Sequence, residues 1–276
     1  MDAMDDKERR AAPGVVIADT ATKLGADARG AVIVTGSHGG RYAAYLTLSA
    51  LPRAVIHNDA GIGKDEAGIA VLAMAEALGV PAATASHASC RIGDAQDTAL
   101  RGVISFANAL GGALGVCPGL PCREAILRLR AANPSNRPPE PCGEVRRVIE
   151  HPAKARIVLV DSASLIDAGD AGQIIVTASH GGLVGGDSKM ALKADAFAAV
   201  FNDAGVGMDG AGIGRLPVLD ARGIAGLTVS AASARIGDAA SAFDEGIISY
   251  VNATAARLGA CPGEPLKSRL LAWINA

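Results

Sequence analysis

An internal duplication is the feature that most constrains how this chain folds. Five motifs of the first half return in the same order in the second half. They are VIVTGSHGG at 32–40 and IIVTASHGG at 174–182, NDAGIG at 58–63 and NDAGVG at 202–207, ASCRIGD at 88–94 and ASARIGD at 232–238, GVISFAN at 102–108 and GIISYVN at 246–252, and GVCPG at 115–119 and GACPG at 259–263. A repeat of about 120 residues is a whole domain, too long for a solenoid unit.

The duplication divides the 276 residues into four predicted segments. They are a flexible N-terminal tail at 1–13, a first repeat at 14–132, a connector at 133–154 and a second repeat at 155–276. The connector is rich in proline and polar residues, so we expect no regular element in it. Two fused copies of one domain predict a pseudo-two-fold arrangement like that of a homodimer.

Within each copy, short apolar runs alternate with stretches of helical periodicity. The runs are continuous, as in strands that are covered on both faces. Strands are predicted at 14–20, 31–36, 53–58 and 81–86, and in the second copy at 156–162, 173–178, 198–203 and 226–231. Residues 66–79 and 99–115 have helical periodicity and end at glycine, which predicts a helix over each. The pattern indicates two tandem three-layer α/β/α domains, Rossmann-like, with mainly parallel sheets.

Composition excludes several classes of partner. The formal net charge is −2 and only 3% of residues are aromatic, which disfavours nucleic acid and anionic membranes. No apolar run reaches the roughly 18 residues of a membrane span, and the charged N-terminus does not read as a secretory signal. Five irregularly spaced cysteines predict unpaired thiols in a reducing cytoplasm. We therefore expect a cytoplasmic protein with a small-molecule partner, and further homo-oligomerisation stays open.

Polar residues of both copies fall just after the carboxyl ends of the predicted strands. In the first copy they are Asp19, Ser37, His38, Gly39, Gly40, Asn58, Asp59, Ser89, Arg91 and Asp94. In the second copy they are Asp161, Ser179, His180, Gly181, Gly182, Asn202, Asp203, Ser233, Arg235 and Asp238. Ligands of open α/β sheets bind at this edge. The sequence therefore predicts one ligand-binding crevice per copy.

The residue types at this edge suit proton transfer and anion binding. His38 is the expected general acid or base, with Asp59 orienting it and Ser37 in the catalytic set. Arg91 is expected to hold a carboxylate or phosphate with backbone N–H groups of the Gly-Gly turn, and the other polar residues to bind substrate. The second-copy counterparts are His180, Asp203, Ser179 and Arg235.

Hydrolysis of an amide or ester of a small polar, anionic metabolite is the function that we favour. Lyase or isomerase chemistry uses the same groups, and a non-catalytic ligand-binding or assembly module is a further alternative. Each motif also has a structural interpretation: a turn for SHGG, a turn with a helix cap for NDAG, and a salt bridge that holds a loop for RIGD.

Several other residues are weaker candidates. First-turn helix positions are predicted for Asp65, Glu66 and Asp209. One shared helical face is predicted for Asn108 with Ser105, and for Asn252 with Ser249. Three histidines have no counterpart in the other copy: His57, His87 and His151.

A nucleophile and a cofactor are not evident. Cys90 follows Ser89 in the first copy, but Ala234 stands at that position in the second. The glycines form neither GxGxxG after the first strand nor GxxxxGK[ST], which disfavours a nucleotide cofactor. Without HxH, HExxH or DxD spacing, we predict no metal.

The run VIVTGSHGG followed by AVIHNDAGIG resembles the core of the caspase-like cysteine peptidases, which carry His-Gly after one strand and a cysteine after the next. His38 and His180 match the histidine. The chain departs from the pattern at the cysteine, where Asp59-Ala60 and Asp203-Ala204 stand. The resemblance covers about 35 residues per half and implies the sheet topology rather than peptidase activity. The tandem SHGG, NDAG and RIGD set also looks like that of a bacterial family.

Overall fold

The structure is a computed structural model that describes residues 13–150 and 156–275. It shows a mixed α/β protein with two sheets. The chain forms two compact units. Unit 1 takes in the chain up to Ala60 together with Gly68–Cys142 and Gly207–Asp209, and unit 2 takes in Gly61–Ala67, Gly143–Val206 and Gly210–Ala276. The predicted α/β class with mainly parallel sheets is confirmed. Residues 1–12 of the predicted tail, and His151, lie outside the described part.

Unit 1 is built on a five-stranded sheet whose spatial order follows the sequence. The strands are β1 Val15–Ala18, β2 Val32–His38, β3 Ala54–Asn58, β4 Ala82–Ala85 and β5 Ile104–Ala107. The first four are parallel, and β5 pairs antiparallel with β4. The helices are α1 Arg41–Ser49, α2 Val71–Ala77, α3 Ala95–Arg101, α4 Ala109–Ala113 and α5 Cys122–Leu129.

Both faces of this sheet are covered, so successive strand residues enter different cores. On β2, Val32 and Val34 pack with α3 and α5, whereas Ile33 packs with α1 and α2. All three side chains are fully buried. This explains why the strand sequences are continuous apolar runs, and it makes unit 1 a three-layer α/β/α unit.

Unit 2 carries a six-stranded sheet with the same parallel centre. The strands are β6 Arg146–Ile149, β7 Ile157–Val160, β8 Ile174–His180, β9 Ala198–Asn202, β10 Ala225–Val229 and β11 Ile248–Val251. The two outermost strands, β6 and β11, are antiparallel to their neighbours. The helices are α6 Arg215–Ala221, α7 Ala239–Glu245, α8 Ala253–Arg257 and α9 Leu266–Asn275.

The units differ after the second parallel strand. In unit 1 that strand leads into α1, whereas in unit 2 the chain forms two 3-10 turns, at Val184–Gly186 and Ser188–Met190. Leu192, Ala194 and Ala196 of this irregular segment fill the core on that face.

Three sequence predictions of local structure are wrong. The helix expected over 99–115 is α3, strand β5 and α4 in succession, because Ile104–Ala107 pairs with β4. Ser105 therefore lies on strand β5 and Asn108 caps α4. The two residues thus do not share the face of one helix. In unit 2 the predicted shared helical face of Ser249 and Asn252 is wrong in the same way, because Ser249 lies on strand β11 and Asn252 caps the helix that follows.

The helix expected from residue 66 begins at Val71. The preceding segment, Lys64–Ile69, is kinked at Asp65 and Glu66, which have non-helical φ of 52° and 56°. These carboxylates are thus not in the first turn of an α-helix. The connector holds β6, which pairs with β7 through its backbone and carries an ion pair of 2.6 Å between Arg146 and buried Asp170. An edge strand held by such contacts needs no apolar periodicity.

Candidate active site

The carboxyl ends of the parallel strands gather the predicted polar residues within each unit. In unit 1, His38 at the end of β2 is the register partner of Asn58 at the end of β3. In unit 2, His180 on β8 is likewise the partner of Asn202 on β9. The sequence prediction that these motifs share one sheet edge thus agrees with the strand register.

Most of these side chains hydrogen-bond to the backbone of their own unit. Ser37 Oγ accepts from the N–H of Ala21, and Asp19 Oδ1 accepts from the N–H of Ala95 at the start of α3. Burial raises the pKa of Asp19, and the Ala95 N–H opposes this effect. In unit 2, Ser179 and Asp161 make the same contacts to Ala163 and Ala239. These four residues thus fix loops and helix ends.

The RIGD loop is fixed in the same way. Asp94 and Asp238 cap α3 and α7 by accepting from the N–H groups of Asp97 and Ser241. Ser89 Oγ donates to the Ser86 carbonyl and accepts from the Val103 N–H. Ser233 makes the equivalent contacts to Ser230 and Ile247.

Each Gly-Gly turn uses its own N–H groups. The Gly39 N–H donates to the Asn58 carbonyl, and the Gly40 N–H donates to His38 Nδ1 at 3.0 Å. The corresponding donors in unit 2 are Gly181 and Gly182. Because these N–H groups already have protein acceptors, the contacts favour the turn interpretation over an anion cradle.

The same turn determines the chemical form of His38. Burial, together with neighbouring His57, lowers the pKa of His38 to about 4, so the ring is neutral at pH 7. Its Nδ1 accepts a hydrogen bond, which leaves the ring proton on Nε2. In this form His38 is a hydrogen-bond donor through Nε2. Nε2 can act as a base only if the ring proton moves to Nδ1, which requires the hydrogen bond from the Gly40 N–H to break.

The NDAG motif forms a left-handed turn. Asn58 Oδ1 accepts from the Ala60 N–H, and Asn202 Oδ1 accepts from the Ala204 N–H. After each asparagine and aspartate, four consecutive residues have positive φ, and they include Ile62 at 65° and Val206 at 63°. β-Branched residues in this region are outliers that the surrounding contacts must enforce. The two glycines of each motif adopt it without a Cβ penalty.

Asp59 is tied to His87, a histidine of the loop that follows β4. Asp59 Oδ1 lies 2.8 Å from His87 Nδ1 and 2.9 Å from the His87 backbone N. Burial alone would raise the pKa of Asp59, but the hydrogen bonds from His87 outweigh it and hold the pKa below its usual value. The Asp59 side chain is 3% exposed and the His87 side chain 28% exposed. A buried carboxylate thus orients an accessible imidazole.

The pair is not repeated at the matching positions of unit 2, because Ala231 stands where unit 1 has His87. Asp203 Oδ1 accepts from the N–H groups of Gly205 and Ala231, at 3.0 Å and 2.9 Å. The backbone contact of the carboxylate is therefore common to both units, and the imidazole belongs to unit 1 alone.

The predicted anion-binding arginines are paired with carboxylates. Arg91 lies 2.7 Å from Asp209, which also contacts Arg101 at 3.3 Å within unit 1. In unit 2, Arg235 contacts Asp65 at 2.8 Å, Asp238 at 3.1 Å and Glu245 at 3.3 Å. These pairs compensate both guanidinium charges, which favours the salt-bridge interpretation of RIGD.

Cys90 does not have the environment of a nucleophile. Its thiol is fully buried, accepts from Asn58 Nδ2 at 3.5 Å and lies 3.6 Å from the Ser86 carbonyl. Burial raises its pKa, so the thiolate is disfavoured. Over the described ranges, no group of three His, Cys, Asp or Glu is placed to hold a metal ion. Nor does any helix there have the length and apolarity to cross a membrane.

His87 is only a weak candidate from the sequence, because it has no counterpart in the second copy. The sequence feature that points to it is its position directly after Ser86, at the end of a predicted strand. Its partner lies 28 residues away in the chain, and only the parallel pairing of β3 with β4 brings the two together.

Comparison with known proteins adds no relative: no family model, no curated protein and no solved structure matches this chain.

Proposed function

We propose that the protein is an enzyme that hydrolyses an ester or amide of a small polar metabolite, with its acid–base centre at Asp59 and His87 of unit 1. The observation that carries the proposal is the 2.8 Å contact between Asp59 Oδ1 and His87 Nδ1. A carboxylate accepts this bond only from a protonated Nδ1, so the basic lone pair of the neutral ring is on Nε2.

In this mechanism His87 Nε2 takes a proton from water as the water attacks the substrate carbonyl. The imidazolium that forms is stabilised by Asp59, which keeps its negative charge because its pKa is lowered. His87 then returns the proton to the leaving oxygen or nitrogen. General acid–base catalysis of this kind contributes about 10²–10⁴-fold to a rate.

Water is the proposed nucleophile because Ser89 and Cys90, two candidate nucleophiles of the same loop, are unsuited to attack. Ser89 Oγ already donates to the Ser86 carbonyl, and the Cys90 thiol is buried. The same dyad also suits proton abstraction from carbon in a lyase or isomerase, which a substrate panel separates from hydrolysis. Five unpaired cysteines support a location in the reducing cytoplasm.

The test compares variants on a panel of chromogenic esters and amides with small polar acyl groups. We expect His87→Gln and Asp59→Asn to lower kcat/KM by 10²–10⁴-fold. Asn at position 59 still accepts the backbone N–H of residue 87, so the fold is retained. The control is His57→Phe, which changes the fully buried histidine of β3 to the residue type that unit 2 has at this position, Phe201. Equal activity of His87→Gln and the control would rule out the dyad.

A non-catalytic ligand-binding or assembly module is the second candidate. The contacts of Asp203 favour it, because this carboxylate fixes two backbone N–H groups and Ala231 stands at the position of His87. On this view Asp59 has the same structural role. Asp59→Asn and His87→Gln would then change stability while no member of the substrate panel is turned over by the parent protein.

A further inference from the structure

Arg215 of unit 2 is a buried cation with no ion pair. It begins α6, and only 4% of its surface is exposed. Nε donates to the Gly182 carbonyl at 3.0 Å, and Nη1 donates to the carbonyls of Met190, at 3.0 Å, and Ala191. The ring of Phe201 lies 4.9 Å from the guanidinium carbon. Over residues 13–150 and 156–275, no carboxylate pairs with Arg215 and Nη2 has no hydrogen-bond partner.

This arrangement leaves a positive charge to be compensated. Buried charges are normally paired, because neutral carbonyl dipoles replace only part of the lost hydration. Burial lowers the pKa of Arg215 to about 10, so the group is still charged at pH 7. Within the described part of the chain, Nη2 of Arg215 has no hydrogen-bond partner and is not fully shielded from solvent. The unused nitrogen therefore reaches solvent.

The feature belongs to unit 2 alone. Val71 holds the corresponding place in unit 1, since its N–H donates to the Gly39 carbonyl as the Arg215 N–H donates to the Gly181 carbonyl. Two of the three carbonyls that hold the guanidinium, those of Met190 and Ala191, come from the irregular segment that unit 2 has in place of α1. Phe201, which replaces His57, presents its ring to the guanidinium. The irregular segment and Phe201 thus occur in the same unit as the arginine.

We propose that unit 2 binds a compact oxyanion, a phosphate or a carboxylate group, at Nη2 of Arg215. Such a ligand accepts a charge-assisted hydrogen bond from Nη2 and supplies the counter-charge that the described residues do not provide there. The three carbonyl contacts and the Phe201 ring hold the guanidinium in place before the anion arrives, which reduces the entropy lost on binding. The site does not depend on the Asp59–His87 centre.

The first test is the stability of the parent protein in phosphate, with sodium chloride keeping the ionic strength constant. Binding to the folded state predicts a Tm that rises with phosphate and saturates. An acetate series separates the two sources of oxyanion: a larger effect of phosphate indicates a phosphorylated ligand, and a larger effect of acetate a carboxylate. A Tm that follows ionic strength alone, in both series, would overturn the proposal.

Variants then locate the effect. Arg215→Met is expected to abolish the anion dependence of Tm. Arg222→Gln is the matched control, because Arg222 also donates to carbonyls of this segment, those of Leu192 and Ala194, but has Asp195 as its counter-ion. If Arg215→Met does not fold, the Nε–H resonance of Arg215 in the parent protein is followed by NMR during phosphate titration. An unshifted resonance, or an anion effect that survives in Arg215→Met, contradicts the site.

Discussion

His57 and Phe201 hold the same register position in the two sheets: His57 on β3 pairs with Thr84 of β4, and Phe201 on β9 pairs with Thr228 of β10. Both side chains are fully buried. His57 Nδ1 donates to the His38 carbonyl, and its Nε2 lies 3.0 Å from Thr47 Oγ1. Burial lowers the pKa of His57 to about 4, so the neutral ring accepts from the Thr47 hydroxyl. One unit thus keeps a polar network where the other packs an aromatic ring.

We predict that His57→Phe makes the protein less sensitive to acid. His38 and His57 titrate near pH 4 when folded and near 6.5 when unfolded, so the unfolded state binds more protons between these values. Stability is therefore complete above pH 6.5 and falls as the pH drops towards 4, by roughly 3 kcal/mol per histidine. Urea unfolding at pH 7, 5 and 4 should show a smaller loss for His57→Phe than for the parent. Equal losses would mean that His57 is protonated in the folded state.

Gly36 and its repeat counterpart Ala178 offer a matched pair of substitutions. A Cβ on Gly36 would lie 2.7 Å from Asp94 N, 2.7 Å from Gly93 C and 2.8 Å from Asp19 O, all backbone atoms. We expect Gly36→Ala to lower the free energy of unfolding by about 1–3 kcal/mol through overpacking. Ala178→Gly should lower it by about 1 kcal/mol, because glycine in a strand loses more conformational entropy. Urea titrations of the two variants test the order, and a stabilising Gly36→Ala would contradict the close approach of the RIGD loop to β2.

Much of the fold follows from the sequence because the central strands are buried on both faces. The predicted run at 53–58 contains β3 at 54–58, and that at 198–203 contains β9 at 198–202. The antiparallel edge strands β5, β6 and β11 were not predicted, because cross-strand pairing, which periodicity does not encode, decides them. ISFA at 104–107, for example, lies within a helical pattern and still pairs with β4. The contact between Asp59 and His87 was not predicted, for a related reason. A hydrogen bond between neighbouring parallel strands is a tertiary property, and repetition pointed to His38 instead.

Four of the five thiols should divide into two classes by reactivity, and the fifth, Cys142, is intermediate in exposure. Cys117 and Cys261 are exposed, whereas Cys90 and Cys122 are fully buried and burial raises the pKa of each. The aromatic disulfide of Ellman's assay should therefore modify Cys117 and Cys261 in the native protein, and Cys90 and Cys122 only in urea. Peptide mapping after labelling assigns the sites. Rapid native labelling of Cys90 would restore it as a candidate nucleophile and count against activated water.

A substitution at Asn108 can show whether this side chain only caps helix α4 or also joins that helix to neighbouring elements. Its Oδ1 accepts from the N–H groups of Ala82 and Gly111, and its Nδ2 donates to the Val80 carbonyl at 2.9 Å and the Leu72 carbonyl at 3.4 Å. Aspartate caps a helix as well as asparagine does, so a residue that only capped α4 would tolerate Asn108→Asp. Here the new carboxylate oxygen would face two carbonyls without a proton to donate.

We therefore expect Asn108→Asp to lower the free energy of unfolding by at least about 2 kcal/mol at pH 7, since a buried acceptor then opposes other acceptors. Protonation gives the carboxyl a donor, so the deficit relative to the parent should shrink as the pH falls. Asn252→Asp should behave alike, because Asn252 Nδ2 donates to the carbonyls of Ile224 and Leu216. Chemical denaturation across pH measures both deficits. Unchanged stability in both variants would show that the asparagines only cap their helices, and that other contacts join these helices to the sheets.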